Sequence, residues 1–415
     1  MVVRFAEDRS AAPAALIGRA RELRREFART AAAVDASGTF PLANLERIYQ
    51  AGFERLVLPR EFGGLKVVGQ GLSAHLSTLA EILTELAAGE SSTAQAWMVH
   101  LGVARLLYSG MVDLPHETKR QLAREVLEEG ARFISSASEP AAKRQSYRTA
   151  GKRAPGGLRV SGTKAFNTGS DAARYAQVPL LLEGFPSVEA GGLYFALVRL
   201  DAPGVILHND WDNMGQRATA SQTITYRDVF VPDGFHYGFV GGGRAFYQPD
   251  NILGPVSQVL LNAVVLGMGF GALEAMIDYA RQTAKPLTPG LDVAATEDPI
   301  IRWHIGRYSS QLAAARALQR ETAAMLEGFN GDPSERAELS VQMMRTKVAI
   351  FDAVLTTTGE LHRVAGGRAT SNKYRLDRFW RNGRTLSVHD PVDAKLQLIG
   401  AYELDGSPPP VSWLT

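Results

Sequence analysis

Apolar residues in the first third of the chain recur at helical spacing. Leu76, Leu79, Leu83 and Leu86 fall on one face of a 3.6-residue repeat. From Ala11 to about Glu129 the pattern predicts helix, interrupted only by a short strand-like run, Leu56-Val57-Leu58. Near Arg132 the period changes. Alternating runs such as Leu193-Tyr194-Phe195-Ala196-Leu197-Val198 and Thr223-Ile224-Thr225-Tyr226, separated by turn signals at Gly156-Gly157 and Asp201-Ala202-Pro203-Gly204, predict a small antiparallel sheet or barrel. Beyond Gly241-Gly242-Gly243, which reads as a linker, long helical periods return from Leu253 to Lys285, from about Glu297 to Gly328 and from about Ser334 to Val364. Asp332-Pro333-Ser334, with Glu335 in the first turn, is a helix start. Helices of this length require a bundle. The expected class is therefore α+β, mostly α, with a helical domain over 1–130, a β-barrel domain over 131–240 and a helical bundle over 241–415.

One stretch imitates a membrane span, because no charge falls between Asp250 and Glu274. Pro255, Ser257, Gln258, Asn262 and the glycines Gly267, Gly269 and Gly271 fit better with a helix buried on all sides, packed closely at the glycines. No membrane association is expected. Glu7 and Asp8 stand where a signal peptide would be apolar, and the following helix keeps Glu22 and Glu26, so neither secretion nor organelle import is expected.

Composition narrows the chemistry. At 415 residues and 45% hydrophobic, the chain can bury more than one core. Lys+Arg 45 against Asp+Glu 43 gives a net charge of +2, with no basic run, so no nucleic-acid partner is expected. The absence of cysteine removes disulfides, thiolate nucleophiles and cysteine-held metals, and a reducing cytoplasm is the plain reading. No P-loop, His-Glu-x-x-His or Gly-x-Ser-x-Gly is present, no two histidines sit at metal-ligand spacing, and Gly267-Met268-Gly269-Phe270-Gly271 lies inside the apolar helix rather than after a strand. No metal is expected. Three positions remain. His389-Asp390-Pro391 sets an imidazole beside a carboxylate at a helix end, where it either caps the helix or exchanges protons. His100 sits on an apolar helix, as a hydrogen-bonded core residue or a site residue. Trp211 either packs or walls a flat ligand.

Several stretches together resemble the acyl-CoA dehydrogenase superfamily over nearly the whole chain. They are Ala51-Gly52-Phe53 through Leu58-Pro59-Arg60-Glu61-Phe62-Gly63-Gly64, Ser138-Glu139-Pro140, Lys164-Ala165-Phe166-Asn167-Thr168, Met214-Gly215-Gln216-Arg217, and Val229-Phe230-Val231-Pro232. The resemblance implies an N-terminal helical domain, a middle β-barrel, a C-terminal four-helix bundle, a bound flavin and a homotetramer. Two departures stand out. The Glu-Pro turn continues as Ala141-Ala142-Lys143-Arg144-Gln145-Ser146 instead of the dehydrogenases' Gly-Ser-Asp, and their catalytic Glu is replaced by His389-Asp390-Pro391.

Asp377-Arg378-Phe379-Trp380-Arg381-Asn382, Asn209-Asp210-Trp211-Asp212-Asn213, Arg281-Gln282-Thr283-Ala284-Lys285-Pro286 and Thr296-Glu297-Asp298-Pro299 are similar to one subgroup, the reduced-flavin-dependent monooxygenases of the dibenzothiophene, alkyl sulfone and methanesulfinate type. This resemblance implies a two-component enzyme. A separate flavin reductase supplies reduced FMN, FAD being the alternative, and O2 bound at flavin C4a yields a (hydro)peroxyflavin that oxygenates a small organosulfur molecule. His389 and His100 would border the peroxide. Ser138, Phe166, Thr168 and Trp211 would line the isoalloxazine and its cavity, and Arg281 and Ser371 would contact the phosphate. Two alternatives stay open, an FAD-dependent acyl-CoA dehydrogenase with Asp390 as base and an N-hydroxylating monooxygenase of the same fold. A non-catalytic, nucleic-acid-binding relative is set aside on charge.

Overall fold

The computed structural model describes residues 13–66, 71–140 and 147–415. Glu7, Asp8 and the divergent stretch Ala141 to Ser146 lie outside the described residues. The chain begins with α1 (Pro13–Ala28), α2 (Ala31–Ser37), α3 (Leu42–Ala51), α4 (Leu76–Gly89), α5 (Ser91–Leu107) and α6 (His116–Glu129). Strands follow: β1 (Phe133–Ser135), β2 (Ala150–Ala154), β3 (Gly157–Lys164), β4 (Tyr175–Leu182), β5 (Leu193–Arg199), β6 (Val205–Leu207), β7 (Ile224–Pro232) and β8 (His236–Tyr237). Helices return as α7 (Leu253–Gln282), α8 (Pro299–Gly328), α9 (Pro333–Gly359), α10 (Leu361–Ala365), α11 (Asp377–Ser387) and α12 (Val392–Asp405).

Local chemistry sets the helix starts. The Glu90 carboxylate accepts from the N–H groups of Ser92 and Thr93 ahead of α5, and Asp298 accepts from those of Ile300 and Ile301 ahead of α8. Asp332 accepts from the Ser334 N–H, with Pro333 at the first helical position of α9. Two expectations fail locally. Leu56-Val57-Leu58 is no strand: Phe53–Leu56 forms one 3-10 turn, and the run is apolar because it is buried, at 2%, 2% and 0% exposure. The helix expected to reach Val364 stops at Gly359, where Glu360 turns the chain and accepts a hydrogen bond from the Tyr308 hydroxyl at 2.8 Å.

The strands form one curled sheet in the order β6-β7-β3-β2-β4-β5-β8, with β1 paired to β4. It is mixed rather than wholly antiparallel. Both β1 and β2 run parallel to β4, because β4 follows the β2–β3 hairpin only after a long crossing loop.

α7 is the only described helix long and apolar enough to cross a membrane, and most of it is buried inside the protein, against α4 on one side and α8 and α9 on the other. Its glycines set the helix spacing as expected. A Cβ at Gly267 would lie 2.4 Å from the Thr84 carbonyl oxygen, and one at Gly271 2.5 Å from that of Ala88. At Gly269 the nearest atom, at 2.6 Å, is instead the end of the Leu312 side chain. Backbone cannot yield as a side chain can. Gly267→Ala should therefore cost about 1–3 kcal/mol and Gly269→Ala clearly less, measured as the order of thermal unfolding midpoints.

Candidate functional site

Two loops, 165–174 after β3 and 208–223 before β7, meet at one corner of the sheet. Amides tie them together. Asn167 donates from Nδ2 to the carbonyls of Lys164 (2.9 Å) and Gln222 (2.8 Å), and its Oδ1 accepts from the buried Ser136 hydroxyl. Gln222 reaches back, donating from Nε2 to Ser170 Oγ at 2.9 Å and Asp171 Oδ1 at 2.8 Å, while its Oε1 accepts from the Asn209 N–H. The Gly169 N–H donates to the Thr219 carbonyl and the Ser170 hydroxyl to the Ala220 carbonyl. Below the corner, Lys164 is fully buried and paired with Glu139 at 2.8 Å. Burial pushes its amine down to about 8, and the pair steadies the bridge between Ser138 and Ala165.

Gln216 joins this corner to the helices on both sides. Its Nε2 donates to the Ser91 carbonyl (3.1 Å) and to Gln95 Oε1 (2.7 Å), and its Oε1 accepts from the Ser91 hydroxyl (2.6 Å), all on α5. Its N–H donates to Asn382 Oδ1 on α11 at 2.7 Å, and Asn382 Nδ2 donates to Ser91 Oγ. Its carbonyl accepts from the Trp211 indole and the Thr219 hydroxyl, each at 2.9 Å. Hydroxyl contacts of 2.7 Å then run from Thr219 to Ser221 and from Ser221 to Thr168. The residue preceding Gln216 seals the approach of α11: a Cβ at Gly215 would stand 2.1 Å from the Arg381 carbonyl oxygen.

The corner also holds strain and exposed aromatic surface. Phe166, Asn209, Gln216 and Ala220 have φ of 59°, 52°, 50° and 47°. For a side chain such as Phe this left-handed conformation costs on the order of 1–3 kcal/mol and persists only where the surroundings fix it. The Phe166 ring is 62% exposed and stands edge-on to Trp211 at 6.2 Å. A strained backbone that presents a large apolar ring to solvent offers a wall to a flat ligand, and the buried row of hydroxyls behind it holds the two loops together.

The structure thus gathers Ser138, Phe166, Thr168 and Trp211 in one place. His389 follows α11, seven residues beyond Asn382 or about 10 Å along a helix. Its side chain is 51% exposed, and Nδ1 lies 3.3 Å from Asp390 Oδ1. Arg281 and Ser371 are both exposed at another end of the bundle. The Tyr279 ring, two residues before Arg281, meets the Tyr374 ring at 5.0 Å, and the Tyr374 N–H donates to the Ser371 carbonyl. No described contact joins these two to the aromatic corner.

His100 lies in the core, at 1% exposure, apart from the exposed aromatic rings. Its Nδ1 accepts from the Phe133 N–H at 3.1 Å, and its ring stacks on that of Phe133. Burial pushes the imidazole down to about 3, so it is a neutral core acceptor that anchors β1. The residues of α5 that reach the corner are Ser91 and the half-buried Gln95. Gln95 was not singled out from sequence, and Gln216 and Asn382 stood in the quoted motifs without a role, since amides are common and only their partners give them meaning. A cavity of about 900 Å³ lies elsewhere, lined among others by His75, Ser109, Asn251 and Glu327 near the far end of α5, and contains none of the expected site residues.

Residues 259–394 match the acyl-CoA dehydrogenase C-terminal domain family. Over 403 residues, 93% of this chain and 92% of the relative, the sequence is 31% identical to the dibenzothiophene monooxygenase of Mycolicibacterium goodii. It is also 31% identical, over 95% of this chain and 96% of the relative, to the probable FMNH2-dependent monooxygenase SfnC of Pseudomonas putida. Among solved structures, FMN-bound TdsC from Paenibacillus sp. A11-2 superposes with a TM-score of 0.85 at 28% identity, covering 96% of this chain and all of that one.

The burial of His100 has a pH signature. Its folded value of about 3 lies below the unfolded value of about 6.5. Between them the unfolded state binds more protons, so the stability this residue contributes is complete above about 6.5 and is lost as pH falls through that window. Buried Glu54, pushed up to about 7, contributes the opposite slope over part of the range, which makes a paired comparison necessary. The stability difference between the wild type and His100→Asn, by denaturant unfolding, should shrink between pH 7 and pH 5. A constant difference would mean that His100 takes up its proton as readily in the fold as in the unfolded chain.

Proposed function

Membership of the acyl-CoA dehydrogenase superfamily, in its flavin-dependent monooxygenase branch with FMN as cofactor, is established for this chain, and on that premise we propose that it oxygenates the sulfur of a small organosulfur molecule. Reduced FMN comes from a separate flavin reductase, O2 is the co-substrate, and the working unit is a cytoplasmic homotetramer. The observation that carries the reading is the strained corner in which Phe166 presents an exposed ring edge-on to Trp211, next to the Ser138–Ala165 bridge and two residues before Thr168.

The residues present fit the cofactor. The Ser138 and Thr168 segments offer hydroxyl and backbone partners to the polar edge of an isoalloxazine, and Phe166 and Trp211 offer apolar walls. Arg281 and Ser371 are assigned to the phosphate, Arg281 as its counter-charge. When bound, reduced FMN supplies activation of O2 and delivery of one oxygen atom. The protein excludes water with the aromatic wall and holds a proton at the reacting edge through His389, the exposed histidine that follows α11. The substrate sulfur is the nucleophile, so no carboxylate base is needed. Asp390 is unsuited to be one: it is 1% exposed and paired with Lys347 at 2.6 Å, which speaks against the dehydrogenase alternative.

Under 18O2 with reduced FMN, an aromatic sulfide should acquire one labelled oxygen per turnover. His389→Ala should lower product per O2 consumed by at least tenfold while FMN binding stays within about twofold, the lost oxygen appearing as hydrogen peroxide. Label in a hydroxylamine but never in a sulfoxide would move the reading to nitrogen. Unchanged product yield in His389→Ala would remove that residue from proton transfer.

A further inference from the structure

Behind His389 lies an ion cluster that is out of reach of solvent. The Asp390 side chain is wholly buried, and so is that of Lys347, whose Nζ is 2.6 Å from Asp390 Oδ1. Lys395, 3% exposed, places its Nζ 3.1 Å from Oδ2. Both lysines are fixed from behind. Lys347 also donates to Gln258 Oε1 at 2.7 Å and sits over the Phe351 ring, and Lys395 donates to the Leu414 carbonyl at 2.6 Å. Although burial opposes ionisation, the contact with His389 and the two lysine charges hold the Asp390 carboxyl well below the usual carboxylate range. Capping is not its task, since no N–H in the first turn of α12 is among its described partners.

An ionised carboxylate only accepts hydrogen bonds. Its Oδ1 lies 3.3 Å from Nδ1 of His389, so that nitrogen must carry the hydrogen for the contact to be attractive. We propose that Asp390, pinned by Lys347 and Lys395, is a positioning residue that keeps neutral His389 in the Nδ1–H tautomer and leaves Nε2 as the ring atom that gains and loses the proton. The use made of that proton rests on the function proposed above; the tautomer does not. Such a cluster is costly to build, and an apolar core of the same volume would often be as stable. Fixing one nitrogen of an exposed histidine is what the charges add.

The test is long-range 1H–15N correlation of the flavin-free chain labelled with 15N-histidine, in alkaline buffer, with His389 assigned by its loss in His389→Gln. The wild type should show Nδ1 as the protonated nitrogen. The combined variant Lys347→Met, Asp390→Leu, Lys395→Met, which leaves no buried charge unpaired, should shift His389 to the Nε2–H form that free imidazole side chains prefer. If that variant fails to fold, Asp390→Asn should move the population the same way. An Nε2–H tautomer in the wild type, or the Nδ1–H form retained in a folded variant, would overturn the proposal. Loss of the Nδ1–H form should also lower coupled oxygenation toward the level of His389→Ala without weakening FMN binding. Unchanged product yield in His389→Ala itself, with the tautomer as stated, would defeat the function assigned to His389 and leave its positioning intact.

Discussion

Gln216 holds three separately formed parts of the chain in register. Its side chain binds the first turn of α5, its N–H binds Asn382 on α11, and its carbonyl receives the Trp211 indole. Each bond is worth only about 1 kcal/mol net, but an unpaired buried amide costs more than a satisfied one contributes. The three attachments therefore work as one constraint. The left-handed backbone at Gln216 follows from it, because the carbonyl must face the loop while the amide faces the helices. The aromatic corner inherits its shape from this node, and α11 inherits the level at which it delivers His389.

Two residues that look equally reactive in the sequence meet opposite fates. His100 and Asp390 both lie within 2% of complete burial. Burial keeps His100 neutral, with a backbone N–H as the partner of Nδ1, whereas Asp390 stays charged because two lysines enter the core with it. His389, next in line to Asp390, keeps half its surface. Burial decides which groups can exchange protons, and the ionic partners of the buried ones decide how the exposed one is oriented.

Much of the fold was legible from periodicity, because it depends on local pattern. The uncharged stretch after Asp250 reads as a buried helix, and Gly267 and Gly271 proved to be points where backbone meets backbone. The mixed direction of the sheet was not legible, since pairing of β1 and β2 with β4 depends on a crossing loop that carries no signature. At the proposed site, Phe166, Thr168 and Trp211 were singled out through family resemblance, and the loops that carry them meet at one corner of the sheet. His100 took its site role from the resemblance alone, while the residue pattern left open the hydrogen-bonded core position in which it stands. Gln95 was missed because helical periodicity gives a stripe and not which neighbour the stripe faces. The lysines behind Asp390 stand 43 positions before it and 5 after, a distance at which one sequence offers no cue.

The frame and the wall of the corner are made from different atoms. The frame is backbone held by the amides of Asn167, Gln216 and Gln222, while the wall is the two rings of Phe166 and Trp211. Phe166, at 62% exposure, has little packing to lose beyond its edge-on contact with Trp211. Exchange of that side chain would change the apolar surface of the corner while leaving the loop conformation fixed by its amides. That surface can thus drift in evolution by single substitutions, without passing through a misfolded intermediate.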